Sequence, residues 1–330
     1  MSTTNTIEAH GLRKHYGETT ALDGVDLAVP ARSVCALLGP NGAGKTTAVR
    51  ILTTLSKADG GSATVAGFDV ATEPGQVRRR LGLAAQDATV DGLLTGRENL
   101  TMIGEMHHLG RRVARRRGEE LLEQFSLVEA GDKLAREYSG GMRRRLDLAA
   151  TLVVRPEVLF LDEPTTGLDP RARNELWAVL DTLVDEGATV LLTTQYLEEA
   201  ERLAREIMVI DHGRVIASGD ARQLKREVGG DQLLIVPADP AELSRAAAIL
   251  ERVAGTRASV DPATRRVTAP AESGVAAIAS VASELEASGI RVEDLGVHQP
   301  TLDDVFLTLT GAPVAPPESA DSPAPEEALR

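Results

Sequence analysis

The chain has 330 residues, a formal charge of −13 at pH 7, 42% hydrophobic residues and 2% aromatic residues. That length can bury one large core and a smaller second one. The acidic balance and scarce aromatic rings argue against nucleic acid as the main ligand, because that binding is driven by Lys and Arg against phosphates. The single cysteine, Cys35, rules out an intrachain disulfide and a cysteine-based metal cluster, and it reads as a small buried hydrophobe. No apolar run approaches the roughly 20 residues that cross a bilayer. The first residues lack the basic-then-apolar pattern of a signal peptide, so the expected location is cytoplasmic unless a partner holds the chain at a membrane.

Residues 7 to 85 alternate apolar and polar segments between the turn signals Gly17, Asp23-Gly24 and Asp59-Gly60-Gly61, which predicts a strand-rich start leading into a core. Within it, the apolar run Val34-Cys35-Ala36-Leu37-Leu38 is followed directly by Gly39-Pro40-Asn41-Gly42-Ala43-Gly44-Lys45-Thr46 and then Thr47. A glycine-rich turn alone connects many strands to helices. With Lys45 and Thr46 behind a strand, it reads as a phosphate-binding loop. Glycines let several backbone N–H groups converge on one anion, and the following helix turns its positive end to the same phosphates. Lys45 is placed to reach the β- and γ-phosphates as a point charge, and Thr46 to ligate Mg²⁺ through its hydroxyl.

From about residue 88 to 137 the strand signals fade and helix formers dominate. Leu121, Leu122 and Phe125 form an apolar stripe at helical spacing, opposite the basic run Arg111-Arg112 and Arg115-Arg116-Arg117, which reads as a solvated face. Tyr138-Ser139-Gly140-Gly141-Met142-Arg143-Arg144-Arg145 comes next. Ser139 can cap a helix there while Gly140 and Gly141 leave its first N–H groups bare, which makes a second surface favouring phosphate; a glycine-capped helix with a basic face is the plainer reading.

Val158-Leu159-Phe160-Leu161-Asp162-Glu163 is four apolar residues ending in two carboxylates, the pattern of a buried parallel strand delivering acids to the carboxyl edge of a sheet. Alone, the run also fits a strand entering a solvated turn. The phosphate loop upstream selects the chemical reading, with Asp162 holding the Mg²⁺ shell and Glu163 orienting and deprotonating a water. From 146 to 219 strands alternate with helices, which predicts a parallel sheet with right-handed crossovers.

A boundary is expected near Glu227-Val228-Gly229-Gly230. Beyond it, Leu233-Leu234-Ile235-Val236, Ala247-Ala248-Ile249-Leu250, Arg266-Val267-Thr268 and the Ala-rich stretch 275–287 predict a small α+β domain over 229–310, closed by a helix starting near Thr301. The tail 311–330, rich in proline and acidic residues, is expected to be disordered.

With the Ser-Gly-Gly segment lying between the phosphate loop and the Asp-Glu strand end, the chain resembles the ATP-binding subunits of ABC transporters. The resemblance runs from residue 7 to about 220 and carries five motifs in order. It implies an α/β fold of the P-loop NTPase, ABC ATPase type over 1–228: a parallel-sheet core, an N-terminal antiparallel β subdomain and a helical insert at about 88–145. It also implies ATP and Mg²⁺ as ligands, and a head-to-tail homodimer in which Ser139, Gly140 and Gly141 close over nucleotide held by the other subunit. Tyr16 would stack on adenine. Gln86 would touch Mg²⁺ or the attacking water and sense the membrane subunit, and Asp169 in Gly167-Leu168-Asp169 would couple the two sites. The helical insert would meet that subunit.

One position departs from the pattern. After Ala188-Thr189-Val190-Leu191-Leu192-Thr193-Thr194, where the family has a histidine facing the γ-phosphate, this chain has Gln195. Glutamine can donate a hydrogen bond to a phosphate oxygen but carries no proton or charge near neutral pH. Hydrolysis is then expected either to be slower or to rest more heavily on Glu163, unless Gln195 merely caps the following helix. Gln195, the run Ser139 to Arg145 and the ending Gln299-Pro300-Thr301-Leu302-Asp303-Asp304-Val305-Phe306-Leu307 are similar to a narrower group, the daunorubicin/doxorubicin-resistance exporters. That likeness implies an ATPase on the cytoplasmic side of the cell membrane driving export of a hydrophobic drug through a separate integral membrane permease. Export of lipid, polysaccharide or peptide, and a soluble non-transport ABC ATPase, are the alternatives.

Overall fold

A computed structural model of the chain describes residues 5–85, 89–228, 232–270, 274–298 and 301–310. The chain divides into two compact units, the first ending at Ser218 and the second running from Gly219 to Pro313.

The first unit opens with β1 (Asn5–Tyr16), β2 (Thr19–Pro30), β3 (Val34–Leu38), α1 (Lys45–Leu52), β4 (Gly60–Val65), β5 (Phe68–Asp69), α2 (Pro74–Arg78) and β6 (Leu81–Ala84). Strands β2, β1, β4 and β5 make an antiparallel sheet in that order. Its strands alternate as a half-buried sheet must: Ile7, Ala9 and Leu12 on β1 and Leu22, Val25, Leu27 and Val29 on β2 are buried, and a register shift between Ala9 and Leu12 absorbs the break in period.

A helical stretch follows, with α3 (Gly96–Met106), α4 (Arg111–Gln124) and α5 (Gly140–Thr151). Thr95 and Glu98 form a reciprocal capping box at the start of α3. The basic run on α4 is not uniformly solvated. Arg111 and Arg116 are exposed, but Arg117 pairs with Glu120 and donates to Leu152 O at 3.2 Å.

The chain then runs through β7 (Val158–Asp162), α6 (Pro170–Asp185), β8 (Thr189–Thr194), α7 (Leu197–Leu203), β9 (Glu206–Asp211) and β10 (Arg214–Gly219). Six strands form one sheet in the order β10-β9-β3-β8-β7-β6, and β9, β3, β8, β7 and β6 pair in parallel. Strands β3, β7 and β8 are buried at every residue, which is why β3 and the first four residues of β7 read as unbroken apolar runs, while β8 carries Val190, Leu191 and Leu192 between buried threonines. Cys35 lies in β3, wholly buried, and burial pushes its thiol pKa far up, so it acts as a small hydrophobe.

The second unit contains α8 (Ala221–Val228), β11 (Gln232–Pro237), α9 (Leu243–Ala254), β12 (Ser259–Asp261), β13 (Arg266–Pro270), α10 (Gly274–Ala287), β14 (Val292–His298) and α11 (Leu302–Thr310). The order β12-β13-β11-β14, all antiparallel, with α9 and α10 as the crossovers, is the split β-α-β arrangement. Thr301 caps α11, its hydroxyl accepting from Asp304 N at 3.2 Å. The boundary falls before α8, not after it as the glycines at 229 and 230 led the sequence to imply. The reason is packing: α8 lies against α11, burying Leu224 on one and Leu302, Val305 and Phe306 on the other. The tail 311–330 lies outside the described residues.

Candidate nucleotide site

The parallel sheet aligns its strand ends. Leu38 on β3 is level with Thr194 on β8, and Asp162 on β7 with Thr193 on β8. The loop after β3, Glu163 after β7 and Gln195 after β8 therefore leave one edge from three adjacent strands. Ligands of open α/β sheets collect at that edge.

Two kinds of constraint put glycine in the loop. Gly42 and Gly44 have φ of 82° and 110°, a backbone region costly for other residues. A Cβ at Gly39 would lie 2.3 Å from Ile210 O, and one at Gly44 2.5 Å from Ala21 O. Lys45 opens α1 with its side chain buried, and its Nζ donates to Gly39 O at 2.8 Å and Pro40 O at 3.1 Å, 3.7 Å from Glu163 Oε1. Burial draws the ammonium pKa below its ordinary value, and Glu163 and Asp162 oppose that fall. The loop thus encloses a cation at a helix N-terminus, an environment that favours phosphate.

Thr46 Oγ1 lies 3.4 Å from Asp162 Oδ1, the same oxygen to which the Thr193 hydroxyl donates. No group of three or more His, Cys, Asp or Glu able to hold a metal occurs among the described residues. A hydroxyl and one carboxylate fit Mg²⁺, which takes few protein oxygens and completes its shell with phosphate and water.

Glu163 has φ of 50°, a left-handed conformation that persists in a non-glycine residue only when its surroundings impose it. They do so from both sides. Glu163 N donates to both Thr193 O and Thr193 Oγ1 at 3.1 Å. On the carbonyl side, the Arg144 guanidinium donates to Asp162 O at 2.9 Å, Glu163 O at 3.1 Å, Pro164 O at 3.1 Å and Ala85 O at 2.7 Å.

The other expected site residues are arranged as follows. Ser139 caps α5, its Oγ accepting from Met142 N at 3.3 Å, and Gly140 and Gly141 are the first residues of that helix. Gly140 has no positive φ, and a Cβ there would meet nothing within 4 Å. Its own fold does not require glycine. Gly140 and Glu163 both line a cleft of about 510 Å³ with Arg143, Arg144 and Asp147. Tyr16 ends β1 with its ring half exposed, and Lys14 Nζ sits 5.4 Å from the ring centre. Asp169 caps α6 by accepting from Ala172 N at 2.7 Å. Gln195 is half-buried, but it is not the cap of α7. Tyr196 holds that position, and its N–H donates to Thr194 Oγ1 at 2.9 Å. Gln86 lies outside the described residues. Among the described residues, no hydrogen bond or ion pair joins Tyr16, Ser139 or Asp169 to Lys45, Thr46 or Asp162.

Residues 22–166 match the model of the ABC transporter family. The daunorubicin resistance ATP-binding protein DrrA2 of Streptomyces coeruleorubidus is 57% identical to this chain, over 92% of it and 95% of that relative. This chain belongs to the ABC transporter family. Within it, the daunorubicin/doxorubicin resistance ATP-binding protein DrrA of Streptomyces peucetius is 48% identical over 98% of both chains. A solved structure described as the ATP binding subunit of an ABC transporter is 28% identical with a TM-score of 0.62, covering 68% of this chain and 93% of that one. The fold is the α/β ABC ATPase cassette that the motifs implied, and the protein is an ATPase of the drug-resistance type.

Three residues of this ABC cassette escaped the sequence reading. Thr193 looked like an ordinary strand residue, and Arg144 like one of three basic residues on a surface helix. Glu199 stands beside Glu198 in the first turn of α7, and nothing in the sequence separates the two. It is fully buried, and neither carboxylate oxygen has a hydrogen-bond partner among the described residues. Burial raises its pKa to about 7, although Thr194, Thr165, Trp177 and Arg173 face it and favour the charged form. The hydroxyl of Thr165 and the indole nitrogen of Trp177 are buried without partners too, so these groups approach the carboxylate without bonding to it.

Proposed function

We propose that two copies of this ATPase bind two ATP molecules head to tail, and that closure followed by hydrolysis drives export of a hydrophobic drug through a separate integral membrane permease. The observation that carries the dimer is Gly140. A glycine required by neither φ nor local packing, opening a helix whose first N–H groups are bare, suits a helix end that an outside phosphate approaches closely. Lys45 with the loop Gly39–Thr47 would hold the phosphates of the chain's own ATP, and Ser139, Gly140 and Gly141 those of the partner's. Tyr16 would stack on adenine, and Asp169 would lie where the two sites meet.

Thr46 and Asp162, with Gln86, would hold Mg²⁺, which supplies charge neutralisation at the β- and γ-phosphates. Glu163 is the general base, its carboxylate kept beside Lys45 by a backbone fixed at both N–H and carbonyl. Gln195 donates a hydrogen bond to a γ-phosphate oxygen without adding charge. ATP bridging the two subunits favours the closed state, and hydrolysis removes the bridge.

The cargo rests on relatives named for daunorubicin and doxorubicin resistance. No helix among the described residues is long and apolar enough to cross a membrane; in this reading the permease carries the permeation path and this chain sits on its cytoplasmic face. The test is ATP-dependent doxorubicin uptake into inverted vesicles carrying the chain together with a candidate integral membrane permease. Uptake is expected with the parent and lost with Glu163→Gln. Equal uptake in both would remove the assignment.

A further inference from the structure

Arg144 stands one turn inside α5, the helix whose first residues are Gly140 and Gly141. Its guanidinium donates to the carbonyls of three consecutive residues, Asp162, Glu163 and Pro164, centred on the left-handed Glu163, and to Ala85 just beyond β6. No carboxylate forms an ion pair or hydrogen bond with it among the described residues. A planar fork with five donors can meet four carbonyls at once, whereas an ammonium has three donors on a flexible stem. One turn further, Asp147 Oδ1 accepts from Thr89 N at 2.7 Å and Val90 N at 3.1 Å. Helix α5 is thereby tied to the segment after β6 by two residues three apart on one of its faces.

We propose that Arg144 is a positioning residue that makes α5 a rigid strut between its own N-terminus and the catalytic turn. The inference rests on Glu163 being the base and on the Gly140 end meeting the partner's nucleotide. When phosphate seats on the amide end of α5, the guanidinium one turn away sets the carbonyls of Asp162, Glu163 and Pro164, and with them the direction of the Glu163 carboxylate. The backbone of Glu163 is held on its N–H side by Thr193, and on its carbonyl side by Arg144 at 3.1 Å with a longer bond from Thr166 N at 3.4 Å. Removing the guanidinium takes its donors from four part-buried carbonyls and leaves the carbonyl of the left-handed Glu163 with only the longer bond from Thr166 N.

The experiment is steady-state ATPase kinetics on the full chain with Arg144→Met, Arg144→Lys and Arg144→Ala, alone and combined with Glu163→Gln, alongside labelled-ATP binding. Arg144→Met is expected to lower kcat by about ten- to a hundred-fold with KM and ATP affinity within about two-fold, the loss typical of a misplaced reacting group. Arg144→Lys recovers only part of it. Added guanidinium restores turnover in Arg144→Ala through the open cleft and ammonium does not, a readout that general loss of folding would not give. In the Glu163→Gln background, Arg144→Met is expected to cost nothing further, because Arg144 acts through Glu163.

Near-parental kcat in Arg144→Lys and Arg144→Met, or losses that multiply with Glu163→Gln, would overturn the proposal. Where Arg144→Met does not fold, Arg144→Lys and the guanidinium arm decide. Near-parental turnover in Glu163→Gln alone would instead overturn the assignment of the base, a result distinguishable from failure of Arg144.

Discussion

Replacing Glu199 by glutamine should change how stability varies with pH, and the structure sets the size. The carboxyl is fully buried, and its pKa stands at about 7 against an ordinary 4.5. The folded protein therefore holds a proton there that the unfolded chain releases, so this group's contribution to stability is greatest below about 4.5 and falls as pH rises towards 7. Each pKa unit corresponds to 1.36 kcal/mol, so the burial of charge costs roughly 1 kcal/mol at about pH 5 and roughly 3 kcal/mol above about pH 8. Glu199→Gln keeps the shape and removes the charge. Any cost of burying the amide is the same at every pH, so the slope of the difference between variant and parent is the readout.

The chain's one tryptophan, Trp177, lies on α6 facing Glu199 and is buried, which makes its fluorescence a local reporter of unfolding in the cassette unit. Urea melts of parent and Glu199→Gln are expected to diverge between about pH 5 and about pH 8 by roughly 2 kcal/mol in favour of the variant, close to 1 M in midpoint for ordinary urea slopes. Parallel pH dependence in the two proteins would refute the reasoning, because it would mean that the buried carboxyl is ionised across that range just as it is in the unfolded chain.

Lys45→Ala should abolish ATP binding in a fluorescent-nucleotide titration, and unchanged affinity would count against the loop assignment. Glu163→Gln should keep ATP affinity, lose about 10²- to 10⁴-fold in turnover and accumulate as an ATP-bound dimer by size exclusion; near-normal turnover would overturn it. Gly140→Ala should leave thermal stability unchanged or raise it by roughly 0.5–1 kcal/mol, since alanine suits a helix better and its Cβ meets open space. The same variant should weaken ATP-driven dimerisation, and unimpaired dimerisation would remove the composite-site reading. A chain ending at Ser218 should fold and bind ATP, while one ending at Val228 should be less soluble because Leu224 loses its cover on α11; equal solubility would place the boundary elsewhere.

The loop from Gly39 to Thr46 was legible because its chemistry dictates residue types at fixed spacing: glycines where φ is positive or another backbone passes close, then a cation and a hydroxyl at a helix start. The Asp162-Glu163 strand end was legible because a strand buried on both faces must be apolar until it reaches the sheet edge. Arg144 was not, since all its partners are backbone carbonyls, which every residue type carries. The boundary at Gly219 was hidden for a related reason. Glycines mark where a chain can turn, whereas the unit to which α8 belongs is set by Leu224 meeting a helix some 80 residues later in the sequence.

Glu198 and Glu199 show the limit most sharply, and they bear on Gln195. Both acids sit in the first turn of α7, where either would favour the helix dipole. Only the packing separates them: Glu198 is exposed and pairs with Arg173, and Glu199 is sealed against Thr165, Thr194 and Trp177. Because Gln195 has no proton to exchange, the sequence alone predicts an ATPase pH profile without a limb in the histidine range. Glu199 supplies a group of about that pKa one turn from Gln195, so a limb near pH 7 in the parent does not by itself speak for or against a residue at the γ-phosphate. The two sources separate in a cross: Glu199→Gln should flatten the parent's limb, and Gln195→His placed in that background should restore one near the roughly 6.5 of an unperturbed imidazole. A profile that stays flat when histidine is introduced there would take position 195 out of contact with the nucleotide.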